Sequence, residues 1–173
     1  MKSTNEKKLK QIARASNVLR GVSHALYVPV ILVGAAAAFS ILAGRAQISF
    51  QGQTYVPAEL ALQPRLILAT VVVATAAVLL KCLHHLRRLA NNYSRQEIFT
   101  ADSARQIRQF GISCVLWGVV KIAWAFLPLM ILADHPPVYN ASTDSILMGV
   151  IIIGLSWFAE MAADLREEND LTV

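Results

Sequence analysis

Four long apolar runs constrain the fold of this chain more than any other feature of its sequence. They cover residues 22–43, 62–83, 112–133 and 146–164. Each is close to the ~20 residues that cross ~30 Å of hydrocarbon as a helix. The composition is 55% hydrophobic, and the apolar residues are bunched rather than periodic, which is not typical of a soluble domain. The pattern predicts an all-α integral membrane four-helix bundle that occupies residues 1–173 as a single domain.

A polar stretch at residues 84–110 separates the second run from the third. This stretch and the N-terminal arm hold most of the lysines and arginines, whereas the loops at 44–61 and 134–145 hold few. Short loops rich in Lys and Arg stay on the cytoplasmic side of a membrane. We therefore expect a multi-pass protein of the cell inner (plasma) membrane, with both termini and the polar stretch inside and the other two loops outside.

Two local patterns predict structure in the loops. In the first outer loop, Ile48 and Phe50 alternate with polar residues up to a turn at Gly52, which indicates a short outer β-hairpin. In the polar stretch, Thr100 is a good N-cap for an amphipathic connector helix. We expect that helix to lie along the cytoplasmic membrane surface and to turn at Gly111 into the third span.

Lys121 and Glu160 are the candidate intramembrane charge pair. Lys121 lies near the middle of the third run, where a cation costs ~2.5–3.5 kcal/mol on insertion scales and should find a partner. Glu160 lies on the next helix, which should pack antiparallel to the third. We expect an ion pair that fixes the helix register. A proton- or ligand-binding role, or a water-solvated lysine, are the alternatives.

The arginines of the polar stretch are the candidate membrane-surface site. Cations along the inner face of a membrane attract anionic lipid headgroups, and no groove-reading module accompanies them, so we expect membrane lipids as partners and no direct nucleic-acid binding. The residues are Arg87, Arg88, Arg105 and Arg108.

Enzymatic, metal and cofactor chemistry find no support in the sequence. No residue set supplies a nucleophile, a base and an orienting group together, so we expect no enzyme. His24, His84 and His85 have the placement that a bis-imidazole haem requires, but interfacial histidines usually hydrogen-bond lipid, backbone or carboxylates. No Cys or carboxylate completes a tetrahedral metal set, so we expect neither metal nor cofactor. Cys82 and Cys114 should be free thiols in a reducing compartment.

Two polar segments carry a family resemblance. They are EIFTADSARQIRQFG at residues 97–111 and LREENDLTV at residues 165–173. With the four-run layout, they resemble a family of small bacterial four-span membrane proteins known only as a domain of unknown function. Its pattern has a Phe-Thr/Ser pair, a spaced Arg, a Gly that opens the third helix and an acidic ending. The chain departs from it at Ile98, where a small residue or Pro is common, and at Ser103, where Asn is usual.

The resemblance implies a regulatory or scaffolding role without enzymatic activity. Such proteins are often encoded beside a small helix-turn-helix regulator, which implies a membrane protein that holds or releases a transcription factor. We expect a cytoplasmic protein partner to bind the 84–110 stretch and the acidic tail. The partner-facing tail residues are Glu167, Glu168 and Asp170.

Two alternatives remain open at this stage. The chain could instead be a small transporter or channel subunit that uses Lys121 and Glu160. A small-residue face at Gly34 and Ala38 fits either packing within the chain or a homo-oligomer.

Overall fold

The computed structural model describes residues 2–45, 47–50, 53–56, 60–95, 100–131 and 143–171. These residues form four helices: α1 Lys2–Leu42, α2 Leu62–Ser94, α3 Ala101–Ile131 and α4 Asp144–Leu171. Each contains a stretch that is long and apolar enough to cross a membrane. The prediction of an all-helical, four-span architecture is confirmed. Residues 132–142, which include most of the second predicted outer loop, lie outside the described residues.

The connection between α1 and α2 begins with a glycine-dependent helix end. Gly44 has φ 69°, a conformation that L side chains rarely adopt. The Gly44 amide donates to the Ile41 carbonyl at 3.1 Å and the Arg45 amide donates to the Ser40 carbonyl at 2.9 Å, the Schellman pattern. Beyond it, β1 Ile48–Phe50 pairs antiparallel with β2 Gln53–Tyr55.

Consecutive helices are antiparallel neighbours. α1 packs on α2, and α3 on α4, more extensively than α2 packs on α3. Hydrogen bonds from Arg20 to Asn91 and from Asn92 to Asp102 bring the N-terminal half of α1, the end of α2 and the start of α3 to one end of the bundle, which we call the basic end. The opposite end, with β1 and β2, is the hairpin end. Between the two ends, Trp124 Nε1 donates to Thr75 Oγ1 at 2.8 Å across the α2–α3 contact.

Most of the buried side chains are small, and many large apolar ones point outward. Ser23, Ser113 and Ser156 are fully buried, and each hydroxyl donates to a carbonyl of its own helix at 2.6–2.9 Å. Val33 and Phe39, by contrast, are exposed. Such an apolar surface is unfavourable in water and favourable in contact with lipid. Small residues at the helix contacts let membrane helices approach closely.

The separate connector helix predicted from the sequence is wrong. α3 runs from Ala101 to Ile131 without a break, so Gly111 lies inside a helix and not at a turn. A Cβ on Gly111 would lie 2.8 Å from Ile153 Cγ1 and 2.9 Å from the Gly149 carbonyl oxygen. The missing side chain therefore allows α4 to approach. This contact explains a glycine that costs a helix interior ~1 kcal/mol relative to alanine.

Candidate functional site

The described part of the basic end contains a hydrogen-bonded polar network that joins α2 to α3. The Ser103 amide donates to Thr100 Oγ1 at 3.2 Å, which confirms Thr100 as the N-cap of α3. Asn92 Nδ2, on α2, donates to Asp102 Oδ2 at 2.7 Å and to Ser103 Oγ at 3.4 Å. Ser103 is 0% exposed. The end of α2 is thus tied to the first turn of α3.

Gln106 extends this network towards the bundle interior. Its side-chain nitrogen donates to Asp102 Oδ1 at 3.4 Å, and its oxygen lies 3.0 Å from His85 Nδ1. An amide oxygen only accepts, so Nδ1 of His85 carries the proton in this arrangement. Gln106 is only 3% exposed, and a buried amide needs such partners. His85 therefore has a structural contact in the network.

Lys121 and Glu160 do not form the predicted ion pair. Lys121 Nζ donates to Ser145 Oγ at 3.1 Å, so Lys121 lies level with the start of α4. Glu160 lies about 22 Å further along α4 at a rise of ~1.5 Å per residue. There it pairs with Arg108, whose Nη2 is 2.6 Å from Glu160 Oε2.

The displacement of α4 along α3 explains why the predicted pair is absent. The predicted pair assumed that the cytoplasmic ends of the third and fourth apolar runs lie side by side. Close contacts set a different register: Gly111 lies against Ile153, and Gly118 lies against Ile146. In this register, the C-terminal part of α4 near residue 164 lies beside the start of α3 and not beside Ile112.

The predicted membrane-surface arginines divide into two groups. Arg87, Arg88 and Arg105 are exposed at the basic end. Arg108 differs from these three, because the Glu160 carboxylate offsets its charge. The two side chains are 40% and 49% exposed, so the pair contributes at most ~1 kcal/mol to stability.

A cleft between α1 and α2 at the basic end was not predicted. Its volume is about 630 Å³, and its lining includes Arg20 and His24 from α1 with His84, Arg87 and Arg88 from α2. The sequence signal is visible in retrospect, since basic residues recur at helical spacing on both helices. Which faces of the two helices meet was not readable from either helix alone.

The two cysteines are neighbours across α2 and α3. Both are free and partly buried, as expected for their chemical state. The side chains of Ser113 and Cys114 lie close to the Cys82 thiol. Among the described residues, no three His, Cys, Asp or Glu side chains converge as a metal-binding group.

The predicted partner-facing residues lie at the far end of α4. Glu167 and Glu168 are exposed there. The side chain of Asp170 lies outside the described residues.

The packing and surface define the class of this protein. Four antiparallel helices with small residues at their contacts and large apolar side chains outside form a multi-pass membrane protein. The chain belongs to the DUF2975 family, described as a protein family of unknown function, whose family model matches residues 11–173. The resemblance noted in the sequence is thereby confirmed. No curated protein and no solved structure matched the chain.

Proposed function

We propose that this protein is a non-enzymatic regulatory or scaffolding protein of the bacterial inner membrane that engages a cytoplasmic partner through its basic end. The observation that carries the proposal is the polar network of Asn92, Thr100, Asp102, Ser103 and Gln106. It ties the end of α2 to the first turn of α3. Exposed residues beside the network, such as Asp102 and Arg105, are thereby preorganised for recognition, because a partner does not have to order them on binding.

The charge distribution also supports the basic end as the partner-facing surface. Exposed cations of α2 and α3 lie there, and the C-terminal half of α4 brings Glu167 and Glu168 to the same end, as the Arg108–Glu160 contact indicates. Opposite charges side by side favour a partner with a complementary pattern over unrelated proteins. The resemblance points to a helix-turn-helix transcription regulator as that partner.

The proposed orientation places both termini and the polar stretch in the cytoplasm. Gln47, at the hairpin end, and Ala101, at the basic end, are both exposed and give matched labelling positions. A membrane-impermeant maleimide should label Gln47→Cys in intact cells and Ala101→Cys only after permeabilisation, with the unsubstituted chain as the blank for Cys82 and Cys114. Labelling of Ala101→Cys in intact cells would reverse the orientation.

Purification in mild detergent tests the partner. The full chain should retain a DNA-binding protein, and Glu167→Gln should weaken its retention by removing one exposed charge from the tail. Asp164→Asn is the matched control, because it removes an exposed carboxylate from the same helix nearer the bundle. Equal retention by all three proteins would show that the acidic tail takes no part in binding the partner. A protein that purifies alone and conducts ions in liposomes would favour the transporter or channel alternative, which now rests on Lys121 without Glu160.

A further inference from the structure

The cleft between α1 and α2 concentrates positive charge that the described part of the protein does not neutralise. Arg20 comes from α1, and Arg87 and Arg88 come from α2. Within the described residues, no carboxylate lies within 4.0 Å of any of these guanidinium groups, whereas Arg108 at the same end has Glu160. Three like charges around one cleft repel one another, and an anion between them would relieve that repulsion.

The other groups in the cleft also suit an anion. Arg20 Nη1 donates to Asn91 Oδ1 at 3.4 Å, a contact that joins the two walls of the cleft. His24 and His84 add ring nitrogens that can donate hydrogen bonds. Guanidinium groups present planar, paired donors that match phosphate oxygens. The volume of about 630 Å³ falls within the ~300–1,000 Å³ of small-molecule sites.

An exposed apolar stripe continues from the cleft towards the hairpin end. On α1, Val28, Ile31 and Leu32 follow His24 at helical spacing and are 61%, 50% and 63% exposed. On α2, Val73 lies on the same helical face as His84 and is 54% exposed. A ligand with a phosphate in the cleft therefore has an apolar surface beside it for an acyl chain.

We propose that this cleft is a binding site for a phosphate-bearing anion, held by Arg20, Arg87 and Arg88 between α1 and α2. The phosphate can belong to an anionic phospholipid headgroup, with its chains along the apolar stripe, or to a soluble phosphorylated molecule. Basic pockets between membrane helices bind anionic headgroups in this manner. The site goes beyond the proposed partner surface, because it needs no cytoplasmic protein and uses no residue of the acidic tail.

Two arms separate the sources of the phosphate. In the first, the full chain is placed in nanodiscs of phosphatidylcholine with phosphatidylglycerol, and native mass spectrometry after release counts the retained phosphatidylglycerol. In the second, the protein in uncharged detergent is titrated with inorganic pyrophosphate by calorimetry. Both arms use purified protein, so their outcome does not depend on the proposed partner.

The variants distinguish a built cleft from a merely basic surface. Arg88→Gln and Arg20→Gln should weaken binding about tenfold or more, the loss of one charge-assisted hydrogen bond. Arg105→Gln is the matched control, because it removes an exposed arginine of the same end that does not line the cleft. Arg88 makes no described hydrogen bond to the protein, so its variant keeps the α1–α2 contacts that Arg20→Gln loses.

Each outcome decides the proposal. Retention of phosphatidylglycerol alone, with loss in the two cleft variants, assigns the site to a lipid headgroup. Binding of pyrophosphate with the same variant pattern assigns it to a soluble phosphate. Equal weakening by Arg105→Gln and Arg88→Gln, or no binding in either arm, would overturn the site, because the effect would then come from the overall charge of the basic end.

Discussion

Replacement of Gly149 by alanine should destabilise the protein through one contact, the close approach of α4 to α3. A Cβ at this position would lie 2.7 Å from the Gly111 carbonyl oxygen and 2.8 Å from the Val115 amide nitrogen. Both are backbone atoms, so no side-chain rotation relieves the clash, and the helices must separate. Overpacking of this kind costs ~1–3 kcal/mol.

Gly154 provides the matched control on the same helix. A Cβ there meets nothing within 4 Å. Both substitutions gain the same helix propensity, ~1 kcal/mol for alanine over glycine. The difference between the two variants therefore isolates the overpacking. Gly154→Ala should be neutral or stabilising, and Gly149→Ala should be ~1–3 kcal/mol less stable than Gly154→Ala.

Unfolding of the purified protein in mixed micelles, followed by circular dichroism, measures this difference. The two variants should share the same helix content before unfolding and differ only in the midpoint. Equal midpoints for Gly149→Ala and Gly154→Ala would refute the reasoning, because α3 and α4 would then have room for the methyl group. The register of α3 against α4, which places Lys121 far from Glu160, would then be wrong as well.

Three further predictions test other contacts. Lys121→Met and Glu160→Gln should be additive in stability within ~0.5 kcal/mol, since the two residues are far apart, and a coupling above ~1 kcal/mol in the double variant would restore the ion pair. Thr100→Ala should cost ~1 kcal/mol and speed amide hydrogen exchange in the first turn of α3, and unchanged exchange would remove Thr100 from its capping role. Mild oxidation should join Cys82 to Cys114 by a disulfide within one chain, measured as the loss of two maleimide-reactive thiols after denaturation. The control variant Cys82→Ser should keep its one reactive thiol. Two surviving thiols in the oxidised unsubstituted protein would contradict the contact.

Local signals in the sequence were sufficient for the elements but not for their register. Apolar length is a property of each segment alone, and Thr100 caps the helix that follows it directly, so both were predictable. Gly111 was misread because a glycine has the same local preference whether it opens a turn or admits a neighbouring helix. The Lys121–Glu160 prediction failed for a related reason: the displacement of α4 depends on contacts such as Gly118 against Ile146, which are distant in sequence.

The candidate sites divide along the same line. Arg87 and Arg88 lie just beyond an apolar run and are exposed, while their binding to lipid headgroups stays a prediction. Arg108 looked equivalent in the sequence, but its guanidinium group donates to the carboxylate of Glu160, 52 residues further along the chain. The cleft with Arg20 required knowledge of which flank of α1 faces α2, and this follows from small buried residues such as Ser23 and not from the basic residues themselves.

The uneven packing of the four helices has a mechanical consequence. Two tightly packed helix pairs meet along the less extensive α2–α3 contact, which hydrogen bonds cross at two levels: Asn92 with Asp102 at the basic end, and Trp124 with Thr75 nearer the middle of α2. Lateral tension in a bilayer pulls on the whole perimeter, and strain collects where the fewest atoms resist it. The α1–α2 pair should therefore separate from the α3–α4 pair along this contact before either pair comes apart.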